Sequence, residues 1–516
     1  MGVYSKSGEN ILQYLIRMIQ VTFHRGSDFV GIDLNHNICR EQKFEKLFDY
    51  GIEGSHGVGV ASRDSGQPFQ HSELDLSLVC DGEIYNQSRI EELTNKQFAV
   101  DKESILLLFE RFLLEKSDIS FAMKQTLNFL DGVYGFALFY KNLIFIARDP
   151  IGIKPLYVSE RDGKIAFASE RKALWSIGMF DTHPLPPSSW AVIGGSGIKI
   201  NYIEGLKEEH NKKSSLETAE QKLLKLLTAA LQKRIKNERV GVLFSGGLDS
   251  VVLTKIIQEL GYKPTLYCSG VEGSKDIRGA IQASEKLELP LKINFMTLEN
   301  LKENLPNIVY MIEETNPLKL SIALPLFFSA QQAKSDGLKF MISGNGADEL
   351  FGGYARYLKT LKLGGYTALH QALFKDVKEI AEKNIQRDDA ASMSNSIELK
   401  LPYLDYELVK YVLATPPQYK ISKINSTYIR KFILRKIAEK IGLPETLVNR
   451  PKIAMQFGSL SQRLLEKLAK KSGFSKDLAQ KHGYQSPLKL YIETIARFKK
   501  VPGAKPELET LIPKIK

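Results

Sequence analysis

The chain has 516 residues, 43% hydrophobic and 25% charged, which is enough for two or three globular domains with buried cores. The net charge of +12 would suit a nucleic-acid partner, but the excess basic residues are scattered or lie near the C-terminus, so we expect no nucleic-acid partner. The sequence lacks an apolar run of about 18 residues and a signal peptide, and its three cysteines lack metal-ligand spacing; we therefore predict a cytoplasmic protein with no membrane partner.

The first 200 residues contain five short motifs in a fixed order. They are FHRGSD at 23–28, DGEIYN at 81–86, LDGVYGFA at 130–137, ARDPIGIKPLY at 147–157 and FASE at 167–170. This set resembles the class II glutamine amidotransferase domain. The resemblance implies an α-β-β-α sandwich of the N-terminal-nucleophile type over residues 1–203.

The same resemblance implies a glutamine-binding site. Its residues are Arg63 for the α-carboxylate, Asp101 for the α-ammonium group, and Asp81, Gly82 and Glu83 beside the substrate. The family usually has Asn at position 81, whose amide donates to the oxyanion, whereas an ionised carboxylate only accepts. We therefore expect that Asp81 is protonated, that it points away, or that glutamine hydrolysis is slow.

The start of the chain also departs from the family pattern. The resemblance implies a cysteine nucleophile at position two, but the sequence opens with Met1 and Gly2, and Cys39, Cys80 and Cys268 are internal. Gly2 matches the sixth residue of the family pattern, so we expect the natural chain to begin a few residues before Met1. The polypeptide as written is expected to use free ammonia rather than glutamine.

A polar stretch over residues 204–215 predicts a linker. After it, Ser214 and Glu217 have capping-box spacing, and apolar residues at 216, 219, 223, 226 and 227 recur at helical intervals. A second domain is therefore predicted over residues 216–516.

The segment SGGLDS at 245–250 follows an apolar, strand-like run at 240–244, and apolar residues then recur at helical spacing. Glycines between a strand and a helix allow phosphate to approach main-chain N–H groups, and Asp249 can hold a divalent cation. The spacing is not that of a Walker A loop. The pattern predicts a pyrophosphate-binding loop; the alternative is an ordinary glycine-containing turn.

A second glycine-rich turn follows the apolar run at 338–342. It reads SGNGADELFGGY at 343–354 and supplies the acidic pair Asp348 and Glu349. If both turns lie at the carboxyl edge of one sheet, Asp249 and Asp348 would form an oxygen-ligand site for Mg²⁺. The alternative for the acidic pair is a simple charge preference at a helix N-terminus.

Together the two turns resemble those of the asparagine synthetase family, which usually has Glu where this chain has Asn345. Further matches are SGVEGSKD at 269–276, RDD at 387–389, SIELKLPYLD at 396–405 and RPK at 450–452. The resemblance implies a doubly wound parallel α/β domain of the N-type ATP pyrophosphatase class, with ATP and Mg²⁺ as cofactors.

By this resemblance, Asp249 and Asp348 bind the metal. The implied ATP-binding residues are Leu243, Ser245, Gly246, Gly247, Asp249, Ser250, Ser269, Gly270, Val271, Ser343 and Gly344. The implied catalytic residues are Asp348, Lys452 and Glu313: Lys452 stabilises the leaving pyrophosphate, and Glu313 accepts a proton from ammonia. Glu314 is the alternative to Glu313, and an ordinary solvated lysine is the alternative for Lys452.

The implied activity is ATP-dependent amidation of L-aspartate through β-aspartyl-AMP. Nitrogen comes from glutamine or ammonia, and the products are asparagine, AMP and pyrophosphate. Three alternatives remain: a related amidotransferase with another carboxylate substrate, a tRNA-modifying adenylating enzyme, and a non-catalytic paralogue. The expected partners are small-molecule substrates; the sequence sets no oligomeric state, and a homodimer is one option.

Overall fold

The computed structural model describes residues 1–63, 66–71, 74–208, 215–236 and 239–515. The chain forms two compact units, Met1–Gly205 and Leu206–Lys516. Most of the predicted linker, residues 209–214, lies outside the described residues, and so does the predicted helix cap Ser214. The helix cap in the structure is Ser215, whose side chain accepts a hydrogen bond from the Thr218 N–H.

The described part of the first unit contains two antiparallel sheets and five α-helices. The strands are β1 (Gly2–Ser5), β2 (Phe29–Leu34), β3 (Asn37–Glu41), β4 (His56–Ser62), β5 (Phe69–His71), β6 (Leu76–Ile84), β7 (Gly132–Tyr140), β8 (Leu143–Arg148), β9 (Tyr157–Arg161), β10 (Lys164–Ala168), β11 (His183–Pro184), β12 (Ser189–Gly194) and β13 (Gly197–Tyr202). The helices are α1 (Leu12–Thr22), α2 (Gln87–Thr94), α3 (Ser104–Lys116), α4 (Ile119–Phe129) and α5 (Arg171–Ser176). The sheet orders are β11-β9-β10-β1-β4-β2-β3 and β13-β12-β8-β7-β6-β5.

The hydrophobic clusters of this unit establish four layers. One cluster joins α1 and α5 to the first sheet, a second joins α2, α3 and α4 to the second sheet, and a third contains residues of both sheets. Strand β7 contributes side chains to two of these clusters: Phe136 and Leu138 face the helices, while Ala137 and Phe139 face the other sheet. Alternating side chains of a strand point to opposite faces, so a strand buried on both faces is continuously apolar. The predicted α-β-β-α sandwich is confirmed.

The second unit is built on a parallel sheet. Its strands are β14 (Gly241–Leu243), β15 (Thr265–Gly270), β16 (Leu291–Phe295), β17 (Phe340–Ile342) and β18 (Glu398–Lys400), followed by the antiparallel hairpin β19 (Ile421–Ile424) and β20 (Thr427–Arg430). The strand order is β16-β15-β14-β17-β18. The chain runs outward from β14 to β16 and then returns to β17 on the other side. That reversal makes the predicted doubly wound sheet, and it places the switch point between β14 and β17.

Helices connect and cover these strands. They are α6 (Leu216–Arg234), α7 (Leu248–Glu259), α8 (Lys275–Leu287), α9 (Leu298–Ile312), α10 (Pro317–Ser335), α11 (Ala347–Phe351), α12 (Ala355–Lys378), α13 (Gln386–Met393), α14 (Tyr406–Ala414), α15 (Pro417–Lys420), α16 (Phe432–Lys440), α17 (Glu445–Val448), α18 (Met455–Gly458), α19 (Ser461–Lys471), α20 (Lys476–Lys481) and α21 (Pro487–Phe498). Among the described residues, no helix combines the length and the apolar character needed to cross a membrane.

Candidate active site

The turn between β14 and α7 requires its glycines. Gly246 has φ +66°, and a Cβ there would collide with the carbonyl oxygen of Gly279. Gly247 is the N-cap of α7, so main-chain N–H groups of the first helical turn lie beside the turn. Arg450 braces this loop because its Nη1 donates to the Ser245 carbonyl oxygen at 2.8 Å. The local structure therefore matches an anion-binding turn at a helix N-terminus.

The second turn lies after β17 and delivers two acidic side chains. Gly346 has φ +92° and is the N-cap of α11, which carries Asp348 and Glu349 in its first turn. Glu349 is buried, and its Oε1 accepts hydrogen bonds from the Tyr354 hydroxyl and the Asn384 amide, both at 2.7 Å. Because β14 and β17 are adjacent parallel strands, both turns lie at the same edge of the sheet.

Asp249 and Asp348 meet at a single buried ammonium group. Nζ of Lys431 lies 2.7 and 2.6 Å from the two carboxylate oxygens of Asp249 and 2.6 Å from Oδ1 of Asp348. The Lys431 side chain is only 3% exposed. Lys452 completes the cluster, with its Nζ 2.6 Å from Oδ2 of Asp348. Two carboxylates and two ammonium groups thus form one compact cluster.

The charges of this cluster stabilise one another. Burial alone would raise the pKa of Asp348, but Lys431 and Lys452 outweigh it and hold that pKa well below its usual range. Burial lowers the pKa of Lys452, yet Asp348 and Asp249 more than offset this effect, so its pKa is raised. Asp348 and Lys452 are therefore both charged at neutral pH.

The donor set of the cluster fits a hard divalent cation. Carboxylate oxygens are the ligands that such ions prefer, and Oδ1 of Asp348 is buried and accepts no well-aligned hydrogen bond. No group of three or more His, Cys, Asp or Glu side chains suited to a metal is present in the described ranges. Two carboxylates alone would leave the remaining coordination positions to water or to phosphate oxygens.

A cavity of about 220 Å³ opens over both turns. The predicted site residues that line it are Leu243, Ser245, Gly247, Asp249, Ser250, Ser269, Ser343, Gly344, Asp348 and Lys452. Gly246, Gly270 and Val271 do not line it; the Val271 N–H donates to the Ser459 carbonyl oxygen at 2.9 Å. The structure thus gathers most of the predicted nucleotide-binding residues around one cavity.

Glu313 lies elsewhere. It follows the last residue of α9 in a left-handed conformation, with φ +55°, and is buried without lining the cavity. Its neighbour Glu314 does not line the cavity either, and its carboxylate accepts from two main-chain N–H groups and pairs with Lys319 at 2.9 Å.

One further cavity residue is an acid with a shifted pKa. Asp276, in the first turn of α8, is 7% exposed. Burial raises the pKa of Asp276 to about 6, although Arg450 and Lys452 limit the rise. The carboxylate packs directly on the main chain of Gly458, where a Cβ would collide with it. The raised pKa belongs to an acid that lines the cavity.

Sequence reasoning missed Lys431 altogether. It is one of 71 lysines and arginines, and the residues around it carry no glycine turn or acidic pair that would mark it. Its one distinguishing property is structural: it has φ +55° at the N-cap of α16. Only the fold brings this residue to Asp249.

In the first unit, Asp81 on β6 lies between two cations. Arg25 Nη2 is 2.8 Å and Lys154 Nζ 3.1 Å from its carboxylate. Burial would raise the pKa of Asp81, but Lys154 and Arg25 together hold it well below the usual range. Of the three expectations for this residue, protonation is therefore wrong.

Three of the other predicted glutamine-site residues lie near the same strand end. Gly82 and Glu83 follow Asp81 on β6, and a Cβ on Gly82 would collide with the Val133 carbonyl oxygen. Asp101 accepts a hydrogen bond from the Ile84 N–H at 2.6 Å, which fixes it beside the end of β6. Arg63 follows β4, which belongs to the other sheet.

Comparisons with known proteins agree with this two-part organisation. The family model described as asparagine synthase matches residues 222–486, and the one described as a glutamine amidotransferase domain matches residues 56–176. A Methanocaldococcus jannaschii protein with the provisional name glutamine-hydrolysing asparagine synthetase 1 is 32% identical, over 92% of this chain and 96% of its own length. A glutamine-hydrolysing asparagine synthetase of Brassica oleracea is 26% identical, over 83% of this chain and 72% of its own.

Among solved structures, the chain is similar to the glutamine phosphoribosylpyrophosphate amidotransferase of B. subtilis complexed with ADP and GMP. The identity is 16%, with 72% of this chain and 78% of that chain covered and a TM-score of 0.36.

Proposed function

The chain belongs to the glutamine-hydrolysing asparagine synthetase family, and we propose that it amidates L-aspartate through a β-aspartyl-AMP intermediate. The observation that carries this proposal is the meeting of Asp249 and Asp348, from two separate turns, around one ammonium group at the rim of the cavity. An adenylate-forming site needs such a cluster, because it must hold a polyphosphate and stabilise the charge on its departing part.

ATP binds, in this proposal, with its nucleoside near Ser269 and its phosphates at the turn before α7. Asp249 and Asp348 would hold Mg²⁺, which when bound neutralises phosphate charge. Lys452 and Lys431 reach the same region, so their ammonium groups can donate to phosphate oxygens and offset charge on the leaving pyrophosphate. A cavity that excludes water protects the adenylate from hydrolysis.

The acyl transfer follows from this arrangement. The β-carboxylate of aspartate attacks the α-phosphorus, pyrophosphate leaves, and ammonia then attacks the acyl carbon to give asparagine and AMP. Ammonia must lose a proton in this step, and we assign the proton to Glu313 as a hypothesis based on the family resemblance. Its position outside the cavity lining means that the closed, substrate-bound site would have to bring it nearer.

Nitrogen comes from glutamine or from free ammonia, and glutamine would bind in the first unit. We assign glutamine contacts to Gly82, Glu83 and Asp101, which the strand end of β6 brings together. The ionised Asp81 cannot donate to an oxyanion, so any such donor comes from another group, and the nearby cations Arg25 and Lys154 lower the cost of negative charge there. We further propose a cytoplasmic enzyme; a homodimer remains one option.

The test is the release of AMP and pyrophosphate by the purified protein with ATP and Mg²⁺. L-Aspartate is supplied with ammonium or with glutamine, against a panel of other carboxylic acids and tRNA. We expect AMP and pyrophosphate in equal amounts with aspartate, and loss of both in Asp249→Asn and Asp348→Asn. Release of ADP and phosphate instead, or unchanged rates in both variants, would contradict the proposal.

A further inference from the structure

Three arginines line the cavity in the described part of the chain, and they differ in what they bind. Arg435 and Arg450 each donate two hydrogen bonds to main-chain carbonyl oxygens, which fixes them as structural braces. Arg387 instead donates from Nε to Oδ1 of Asp388 at 2.7 Å, and its Nη2 forms an ion pair with the same oxygen at 2.7 Å. The edge of its guanidinium group formed by Nη1 and Nη2 keeps N–H groups that donate to no described residue.

Arg387 is held in place through the second turn. Oδ2 of Asp388 accepts a hydrogen bond from the amide of Asn345 at 2.6 Å, and the Asn345 oxygen lies 2.9 Å from the Ser343 hydroxyl, which donates to it. All four residues line the cavity. Asn345, which stands where the family usually has Glu, therefore serves in this chain as the link that positions the Asp388–Arg387 pair.

The burial of this pair indicates a ligand. Arg387 is 8% exposed and Asp388 3% exposed. Burial raises the pKa of Asp388, and the adjacent guanidinium partly reverses that rise. Burying a guanidinium group costs free energy unless its donors are satisfied, and two parallel N–H groups match the two oxygens of a carboxylate. The unused edge of Arg387 is thus suited to a carboxylate that enters the cavity.

The sheet order shows which substrate would reach it. Ser269 lies on β15, on one side of β14, whereas α13, with Arg387, packs on β18 at the far side of β17. If the nucleoside lies over β15 and the phosphates lie at the two central turns, the acceptor acid is left with the end of the cavity at β17 and β18. An aspartate whose β-carboxylate faces the α-phosphorus still has an α-carboxylate that needs a cation.

We propose that Arg387 binds the α-carboxylate of the acceptor amino acid, and that Asp388 and Asn345 position it for that contact. The inference rests on the proposed function, since it assumes an adenylate-forming site. Arg387 would then select acids that carry a second carboxylate in addition to the one that is activated.

The experiment compares L-aspartate with its α-amide, which keeps the β-carboxylate but lacks the α-carboxylate. AMP formation is measured for both acids. The wild type should prefer aspartate in kcat/KM by about 10- to 100-fold, the value expected for hydrogen bonds to a charged group. Arg387→Gln should lose that preference by lowering kcat/KM for aspartate alone, while the KM for ATP changes less than about twofold.

Two further variants and one control accompany it. Arg387→Gln/Asp388→Asn removes both charges, so it leaves no unpaired buried carboxylate if the single variant does not fold. Arg387→Lys keeps the charge without the two parallel donors and should retain an intermediate preference. Arg356→Gln is the matched control, because Arg356 pairs with Asp376 outside the cavity lining and should leave both substrates unaffected.

The outcomes distinguish failure of the role proposed for Arg387 from failure of the proposed function. An equal loss for aspartate and its α-amide in the double variant would assign Arg387 a structural role and overturn the inference. If the wild type uses another dicarboxylic amino acid, the aspartate assignment fails and the same comparison is made with that acid and its α-amide. If no acid yields AMP, the proposed function fails, and calorimetric titration of L-aspartate into wild type and Arg387→Gln decides: equal affinities overturn the inference.

Discussion

The Lys431→Met substitution tests the charge cluster directly. It removes the ammonium group that lies 2.6 Å from both Asp249 and Asp348 and keeps a side chain of similar length. The two carboxylates would then face each other with Lys452 as the remaining neighbouring cation of the cluster. The variant should therefore be less stable than wild type without ligands and should respond more strongly to Mg²⁺.

The size of the effect follows from the distances. The nearest carboxylate oxygens of the two acids are no more than about 5 Å apart, because each lies 2.6 Å from the same nitrogen. At an effective dielectric constant of about 20, two unit charges at that distance repel by about 3 kcal/mol. For a unit of this size, that corresponds to a decrease in Tm of about 5 °C. Loss of a cation that stabilises the leaving group should lower kcat by about 100-fold.

The assay is thermal unfolding of wild type and variant, with and without millimolar MgCl₂ and no nucleotide, followed by AMP formation. Mg²⁺ should recover most of the lost Tm in Lys431→Met and change wild type little, because in wild type the ammonium group occupies the space between the carboxylates. Lys436→Met is the matched control: Lys436 lies on the same helix and pairs with Glu439 at the surface. It should behave as wild type.

Two results would refute this reasoning. If Lys431→Met unfolds at the wild-type temperature, the two carboxylates do not repel each other as the geometry requires. If Mg²⁺ stabilises wild type and variant equally, the metal and the ammonium group do not share a position.

Three further predictions concern other parts of the chain. Gly246→Ala should lose ATP binding, measured by calorimetry, because its φ of +66° and the carbonyl oxygen beside it leave no room for a methyl group. Asp276→Asn should stabilise the protein at pH 7, because the carboxyl has a folded pKa of about 6 against an ordinary 3.8. Wild type therefore loses about 3 kcal/mol in total as the pH rises from below 3.8 to above 6, about 2 kcal/mol of it between pH 4 and 6, and urea unfolding of the variant should show no such loss. Asp81→Asn should destabilise the protein by about 1–2 kcal/mol at pH 7. Because the folded pKa of Asp81 is depressed, the difference from wild type should begin to shrink as the pH falls below the ordinary 3.8 and should vanish only below the folded pKa; a difference that already vanishes above pH 4 would contradict the ion pairs.

The sequence predicted the topology of the second unit because its signals are local. An apolar run, a glycine-rich turn and a helix predict one strand-to-helix unit, and two such units in one parallel sheet place both turns at the same edge. The predicted strands at 240–244 and 338–342 are shorter in the structure, Gly241–Leu243 and Phe340–Ile342. The shortening does not move the turns, because strand ends are set by pairing with neighbours rather than by apolar character alone.

The cations of the site could not be predicted in the same way. Lys431 and Arg387 lie far along the chain from the turns they serve. The neighbours of Lys431 in sequence give no pattern that separates it from other basic residues, and Arg387 belongs to the RDD match at 387–389, which by itself indicates no contact for it. Lys452 was assigned through a family resemblance rather than through physical reasoning. Long side chains reach their partners through tertiary structure, which periodicity and turn signals do not encode. The roles of these residues therefore stay predictions until the variants are measured.

Asp81 shows why a single residue type misleads when its partners are unknown. A carboxylate beside a developing oxyanion should raise the barrier, and the sequence alone predicts that penalty. The structure surrounds Asp81 with Arg25 and Lys154, whose two positive charges exceed its own. Arg25 is also shared with Glu170, at 3.1 Å, but Glu170 has a separate cation in Lys172 at 2.5 Å. The local balance is therefore not negative, and the penalty expected from Asp81 alone is offset by cations that lie 56 and 73 residues away in sequence.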